Sequence, residues 1–251
     1  MISTVILHKD ETESLRRCLD SLSWCTDIII VQDNQTSSLG IEIDQKNVRV
    51  VQRLLDDDFA AQRNFGMQQA KHDWVLFVDS DEELSNELIE LLNSFTPDSR
   101  TSAYAIPRID IFWNKRILHG EVGSAARNGI LRLVNRTQGA WQGSVHEVFV
   151  PKEGKTGKLD HSLFHYPHPT IGEFLQSVNF YSSLRAREIA HRSQKRLFVE
   201  MLVYPPTKFM YTYFVKMGVL DGTAGFVYSF MMSFHSFLVR AKAITKTYDT
   251  L

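Results

Sequence analysis

The sequence predicts an α/β fold: a mostly parallel central sheet with helices on both faces, followed by a C-terminal helical segment. Three observations predict it. Continuous apolar runs at Ile2 to Leu7, Ile28 to Val31, Val48 to Val51 and Trp74 to Val78 read as strands buried on both faces. Helix-period stretches alternate with them, the order that βαβ crossovers give. The chain's 251 residues, 43% hydrophobic and 23% charged, suit one large domain or a domain with a smaller appendage. That ordinary composition excludes collagen-like, coiled-coil and wholly disordered chains.

Each element has its own justification. After the first strand, Leu15, Cys18, Leu19 and Leu22 recur at i, i+3, i+4 and i+7, one face of a helix, and Asp10 with Glu13 forms a capping-box pattern at its start. Phe59 to Ala70 reads as a helix burying Phe59 and Met67. Ser85 is placed to cap a helix carrying Leu88, Ile89, Leu91, Leu92 and Phe95. After Pro97 the texture changes to short strands, Ala103 to Pro107, Ile130 to Val134, Val145 to Val150 and Ser162 to His165. A long helix follows from Ile171 to about Arg192. Residues 197–251 form an aromatic and basic segment, punctuated at Pro205-Pro206 and Asp221-Gly222. The expected division is therefore 1–196, with halves 1–97 and 98–196, and then 197–251.

Charge is unevenly spread under a net −1. Residues 1–100 carry 9 Lys/Arg and 19 Asp/Glu, residues 101–184 carry 9 and 6, and residues 185–251 carry 10 and 4. The two cysteines, Cys18 and Cys25, are too few for a disulfide framework and read as reduced thiols of a cytosolic protein. Residues 1–7 lack a positive region and a cleavage site, so they read as a strand rather than a signal peptide. No apolar run reaches the roughly 18–20 residues of a membrane-spanning helix.

The sharpest chemical pattern is Asp79-Ser80-Asp81-Glu82-Glu83, directly after the strand Trp74 to Val78. Two carboxylates at i and i+2 beyond a strand's end can turn toward one hard divalent cation, Mg²⁺ or Mn²⁺, which takes oxygen ligands and phosphate. The spacing is common: with 16 Asp in the chain, about one such pair arises by chance, and Asp56-Asp57-Asp58 fits it too. Position sets residues 79–81 apart, since ligands of parallel sheets bind beyond the carboxyl ends of strands; the bland reading is a solvated acidic cluster at a helix start. Asp33 follows the second strand and is placed to hydrogen-bond a nucleoside, or is a turn residue before Asn34. Arg63, beside Asn64, can stack on a base or clamp a phosphate, or lie on the surface. His146 and Glu147, with Arg132 and Arg136 near in sequence, offer a general base. His165 offers a metal ligand or an acceptor contact, or is structural. No nucleophile elbow, Walker loop or G-x-G-x-x-G is present.

These elements in this order resemble the family-2 inverting glycosyltransferases of the GT-A (Rossmann-like) nucleotide-diphospho-sugar transferase fold. The similarity is strongest to the lipopolysaccharide core β-1,4-glucosyltransferase subgroup. It runs through Lys9-Asp10-Glu11, Asp33, Phe59 to Gly66, Asp73 to Glu82, Ile106-Pro107-Arg108, Leu131-Arg132-Leu133, Val145-His146-Glu147, Phe164-His165-Tyr166 and Lys216 to Gly225, nearly the whole chain. The loop after Asp33, Asn34-Gln35-Thr36-Ser37-Ser38, departs from the family's usual pattern.

The resemblance implies a nucleotide-sugar-binding half at 1–97 and an acceptor-side half at 98–196. It implies that Glu11 and Asp33 hold the nucleoside, that Arg63 faces the nucleotide, that Ser80 helps bind the nucleotide sugar, and that Asp79 and Asp81 belong to the metal–diphosphate site, with Asp81 the direct ligand of Mg²⁺ or Mn²⁺ and His165 a candidate third. Glu147 would be the catalytic base, and Arg132 and His146 would line the acceptor or diphosphate side. The donor favoured is UDP-glucose, the acceptor a saccharide, lipid-linked, of lipopolysaccharide or another cell-surface glycan. The alternatives are a sugar-phosphate nucleotidyltransferase and a catalytically silent nucleotide-sugar-binding module. Aromatic and basic residues interleaved in 197–251 point to a membrane surface rather than nucleic acid, the other reading being packing on the catalytic domain or on a second copy in a homodimer. The expected location is a bacterial cytoplasm, peripheral on the inner membrane's cytoplasmic face.

Overall fold

The computed structural model describes residues 1–8, 12–33, 46–56, 58–143, 147–168 and 170–246. These residues pack into two compact units, 1–108 with 128–165, and 109–127 with 166–251.

The first unit is built on β1 (Ile2–His8), α1 (Thr12–Ser21), β2 (Ile28–Gln32), β3 (Val48–Gln52), α2 (Phe59–Gln69), β4 (Trp74–Asp79), β5 (Glu82–Leu84), α3 (Asn86–Asn93) and β6 (Thr101–Ile106). Strands β7 (Arg108–Phe112) and β8 (Lys115–Ile117) and helix α4 (Gly123–Asn128) follow. The chain then returns to the first unit with β9 (Ile130–Asn135), β10 (Gly139–Gln142), β11 (Val148–Pro151), β12 (Lys155–Lys158) and β13 (Leu163–His165).

Seven strands form one sheet in the order β12-β6-β9-β4-β1-β2-β3. β3, β2, β1 and β4 run parallel, with Thr4 opposite Ile28 and Ile2 opposite Trp74. β9 is antiparallel to both β4 and β6. The α/β class and the mostly parallel centre are therefore as expected, with one reversed strand inside the sheet.

The side-chain alternation of the strands explains the two layers of helix. Ile6, Ile28, Ile30, Leu76 and Val78 point to one face and pack with Leu15, Cys18 and Leu19 of α1 and Leu88 and Leu92 of α3. Val5, Ile29, Val31, Val75 and Phe77 point to the other and pack with Ala60 and Met67 of α2. A Cβ on Gly66 of α2 would stand 2.5 Å from Val5 Cγ1, so glycine lets α2 lie close on the sheet. Phe59 is 37% exposed and contributes less to that core than its position suggested.

Caps and a buried anchor fix the ends. Asp58 Oδ1 accepts from the Ala61 N–H and starts α2, which gives one of the three consecutive aspartates a structural role. Ser85 Oγ accepts from the Leu88 N–H and starts α3, as expected. At the amino end of β2, Asp27 accepts from Ser3 Oγ (2.6 Å), Arg49 Nη2 (2.8 Å) and the Lys71 N–H (2.9 Å). Burial would raise its pKa, but those hydrogen bonds outweigh it and hold the carboxyl below its usual value. Cys18 and Cys25 are free and buried, and burial pushes both thiols up.

β7, β8, β10 and β12 were not expected. They are three to five residues long and most carry charges or small residues, as in Lys155-Thr156-Gly157-Lys158; β7, Arg108-Ile109-Asp110-Ile111-Phe112, alternates, but over too short a run to stand out. Of the strand expected at 145–150, Val148–Pro151 is present, and 145 and 146 lie outside the described residues, as does Asp10 of the capping box.

The second unit is helical: α5 (Ile171–Ile189), α6 (Gln194–Met210), a π-helical turn (Tyr211–Val215), a 3₁₀ turn (Gly218–Asp221) and α7 (Gly222–Thr245), with β8 and most of β7. Thr170 Oγ1 accepts from the Glu173 N–H at the start of α5. Phe174 and Val178 of α5 pack with Ala224, Tyr228 and Met231 of α7, and Phe112 and Ile117 join them. Ala186 and Ile189 pack with Leu197, Val239 and Ala243. Residues 166–196 therefore belong with the C-terminal helices rather than with a domain ending at 196, because α5 buries its apolar stripe on α6 and α7.

The tail also corrects the reading of Pro205-Pro206 as punctuation. Both lie inside α6. Prolines at 205 and 206 have no N–H to give to the carbonyls of Met201 and Leu202, and the helix runs through them to Met210. Asp221-Gly222 is a true break. The Asp221 carboxylate accepts from the N–H groups of Leu118 and His119 and meets His119 Nδ1 at 2.9 Å. Beside it a Cβ on Gly225 would fall 2.1 Å from the Gly218 carbonyl oxygen, so only glycine permits that approach.

Candidate active site

Two of the candidate residues of the first unit lie where parallel strands end. Asp79 is the last residue of β4 and Asp33 directly follows β2. The Asp33 N–H donates to the His8 carbonyl at the end of β1 (2.9 Å), and its Oδ1 accepts from the Leu55 N–H (2.6 Å). One oxygen of Asp33 thus orders the segment after β3. Ser80 and Asp81 form the turn between β4 and β5.

β13 runs antiparallel to β5, with His165 opposite Glu82. This register brings His165 Nε2 to 3.2 Å from Asp81 Oδ2, across a separation in sequence that motif spacing alone could not bridge.

Arginines organise the rest. Arg132 projects from β9, its side chain 4% exposed, and bridges the carboxylates of Asp79 and Glu82, reaching Glu82 Oε1 at 2.5 Å. Arg108 lies 3.8 Å from the same oxygen, and the second Glu82 oxygen accepts from the Asp79 N–H at 3.1 Å. Arg63, expected either at the nucleotide or on the surface, is buried. Its Nε donates to Glu147 Oε1 at 2.9 Å, and its Nη2 is 3.6 Å from Asp79 Oδ1. Its guanidinium lies over the rings of Phe77 (5.2 Å) and Trp141 (4.9 Å), a favourable seat for a cation. Asn64 exchanges two hydrogen bonds with the backbone of Trp141, which fixes the β10–β11 hairpin against α2.

The electrostatics follow from this wiring. Burial would raise Asp79, but Arg132 and Arg63 outweigh it and hold its carboxyl far below the usual range. Burial, and the Asp79 charge beside it, push Glu82 upward against the pull of Arg132. Arg132, caught between two carboxylates despite its burial, is held more firmly protonated. The array therefore presents a fixed set of charges, with the Asp79 carboxylate committed to two arginines.

Two donors are oriented differently. Asp81 and His165 face each other, oxygen to nitrogen, partly open to solvent. Among the described residues no group of three or more His, Cys, Asp or Glu side chains converges on one point. The Asp81 carboxylate fits Mg²⁺ or Mn²⁺ whose remaining positions are filled by phosphate oxygens and water, and the His165 imidazole suits Mn²⁺ rather than Mg²⁺. Arg63 adds a further sign of an anionic ligand, because its Nη1 is buried with no hydrogen-bond partner among the described residues.

Of the residues the sequence singled out, Asp79, Arg63, Arg132 and Glu147 form one connected array, and Asp81 and His165 form a pair joined to it by the turn after β4. Asp33 stands at the neighbouring strand end. Glu11 and His146 lie outside the described residues. Sequence reasoning gave no role to Glu82 as the buried counter-ion of Arg132, nor to Trp141 as the platform under Arg63. The available signal for the first was a lone arginine in the apolar run Ile130 to Val134, since a charge on a buried strand requires a partner.

The chain matches the family model described as glycosyl transferase family 2 over residues 3–145. It is 28% identical to an uncharacterised glycosyltransferase of Rickettsia typhi, over 96% of this chain and 86% of that protein. It is 27% identical to the lipopolysaccharide core biosynthesis glycosyltransferase LpsC of Rhizobium meliloti, over 96% of this chain and 91% of that protein. Among solved structures, residues 1–349 of Staphylococcus aureus TarS align with 97% of this chain and 80% of that one, at 13% identity and a TM-score of 0.46. The family model spans β1 to β10, the elements that carry Asp33, Arg63, the Asp79–Asp81 turn and Arg132. An α/β fold with Asp33 and Asp79–Asp81 at the ends of parallel strands, and a sequence match across the same span, together place the chain in glycosyl transferase family 2.

Proposed function

We propose that this glycosyltransferase moves a hexosyl group from a nucleoside-diphosphate sugar, UDP-glucose favoured, to a saccharide acceptor of lipopolysaccharide or another cell-surface glycan, with inversion at the anomeric carbon. The observation that carries the reading is the Arg63 bridge, which holds Glu147 and Asp79 on one guanidinium at the carboxyl edge of the sheet. The similarity to LpsC supports the acceptor class.

In this reading Glu147 is the base. Arg63 fixes its Oε1, and the acceptor hydroxyl gives its proton to the other oxygen as it attacks the anomeric carbon opposite the nucleoside diphosphate. Asp33, with Glu11, holds the nucleoside. Arg63 and Arg132 set positive charge near the departing diphosphate before the reaction begins, so no reorganisation is needed as charge develops. Asp79 keeps both arginines in place. Asp81 and His165 would hold Mg²⁺ or Mn²⁺, which when bound supplies Lewis-acid stabilisation of the diphosphate. Ser80 contributes to the nucleotide-sugar site, and His146 is assigned to the acceptor or diphosphate side by the sequence resemblance alone. One carboxylate base suffices for direct displacement, in contrast to the paired carboxylates of glycosidases.

Glu147→Gln and Asp81→Ala are each expected to lower nucleoside-diphosphate release from UDP-glucose by about 10²-fold or more while both proteins stay folded. Near-wild-type transfer by both variants overturns the assignment. Donor binding without release from any nucleotide sugar would favour the silent binding module.

The second part of the proposal is peripheral attachment to a membrane. Among the described residues no helix is long and apolar enough to cross one. The outer faces of the C-terminal helices are nonetheless apolar: Phe198, Leu202, Val215, Leu220 and Phe230 are each more than half exposed, Val215 at 68%. Several large exposed apolar side chains on helices that also carry Lys and Arg suit an anionic lipid surface. Tyr228 does not belong to that face. It is buried and donates to Asp110 Oδ2, so the tail packs inward on one side and offers its apolar residues on the other.

A further inference from the structure

The helical unit contains a cavity of about 560 Å³ to which the glycosyl-transfer reading assigns no role. Its walls carry five cationic side chains, Arg185, Arg192, Lys208, Lys216 and Arg240, against one lining carboxylate, Glu121. Compensation is incomplete. Glu121 is taken by Lys208 at 3.2 Å. The buried Glu200 is shared among Arg192 (3.0 Å), Arg196 (2.7 Å) and Arg240 (3.6 Å), and Arg185 is held by Glu188. The field this leaves is felt by His235 on the same wall: its burial, and then Lys208 and Arg240, press its pKa down to about 4. A concave site with several guanidinium and ammonium groups and a surplus of positive charge selects a phosphate, whose oxygens match the arginine fork.

The rim says where that phosphate is carried. Tyr204 and Tyr211 line the cavity and are also 43% and 50% exposed. Phe198, Leu202 and Val203 of α6 are also half exposed or more, so the helix that carries Tyr204 presents apolar side chains to solvent. Tyrosines with one end on an apolar surface and the other on a polar pocket are suited to the boundary between acyl chains and headgroups.

We propose that this cavity receives the phosphate of an anionic membrane lipid, so that the helical unit recognises a headgroup as well as lying on the bilayer. The inference rests on the membrane reading above, and the test separates the two. The full chain is floated with phosphatidylcholine vesicles with and without phosphatidic acid at physiological salt. Four proteins are compared: wild type, Lys208→Gln/Lys216→Gln, Lys216→Gln, and the control Lys195→Gln/Lys246→Gln, charge-matched to the double variant, whose sites lie outside the cavity. Lys216→Gln alone is included because it leaves the backbone bonds of residue 216 and the Lys208–Glu121 pair intact. The cavity variants should lose binding to the anionic vesicles, the double variant by about tenfold or more, while the control keeps most of it. Failure of the wild type to float with either vesicle removes the membrane reading and this inference together. Flotation unchanged in the cavity variants, or lowered equally by the control, overturns the cavity and leaves the membrane reading standing. A thermal shift with glycerol 3-phosphate that the cavity variants abolish, alongside unchanged flotation, assigns the cavity to a free phosphate instead and overturns the lipid source.

Discussion

Arg132 is the residue on which the charge array turns. It is buried between Asp79 and Glu82, so its removal leaves Glu82, fully buried, without its main counter-charge. Arg132→Met is expected to cost about 3–5 kcal/mol in urea unfolding, and adding Glu82→Leu should restore part of the loss, because removing both charges is less costly than stranding one. Restoration absent from the double variant would mean that Glu82 is balanced elsewhere. Asp79, Arg63 and Glu147 were legible in the sequence as residue types in a pattern. Their wiring was not, since a bridge from residue 63 to 147 depends on where β9 and the β10–β11 hairpin lie.

Among elements, the helix pair closed by Gly218 and Gly225 shows how backbone contact limits sequence. Gly225→Ala would drive a methyl group into the Gly218 carbonyl, and about 2–3 kcal/mol of destabilisation is expected, read as a lowered Tm. Helix α7 also carries His235. Its pKa lies near 4 in the folded chain against about 6.5 when unfolded. Between those values the unfolded chain binds the extra proton, so stability falls as pH drops from about 6.5 toward 4. The loss should reach about 2 kcal/mol, after allowing for the ring's partial exposure. Unfolding followed across that range should flatten in His235→Gln if this histidine is the cause. The parallel strands and α1 and α3 were readable because their apolar period is strong. The short strands β7, β8, β10 and β12 were not, because their pairing is set by neighbours rather than by their own composition.

For the whole molecule, the two units interleave along the chain, since residues 109–127 belong with 166–251. A chain cut after residue 196 would lose Tyr228, Met231 and Val239 and strand Phe174, Val178 and Ala186 of α5. Such a truncation should aggregate, or show rapid proteolysis within 171–196, whereas a truly separable tail would leave a protected core ending near 196. The charge split gains a partial account at this scale: Asp33, Asp79, Asp81 and Glu82 of the acidic first hundred residues gather at the strand ends, and Lys208, Lys216 and Arg240 of the basic tail line one cavity. The sequence by itself determined the α/β class, the parallel centre of the sheet and the identity of the carboxylates at its carboxyl edge, because apolar periodicity and strand-end position are local properties of the chain. Only the tertiary structure decided that Arg63 and Arg132 clamp Asp79, that His165 faces Asp81, and that α5 belongs with the C-terminal helices. Each of those depends on contacts between residues dozens of positions apart, and the burial that makes such a charge pair matter exists only once the sheet and its helices have closed around it.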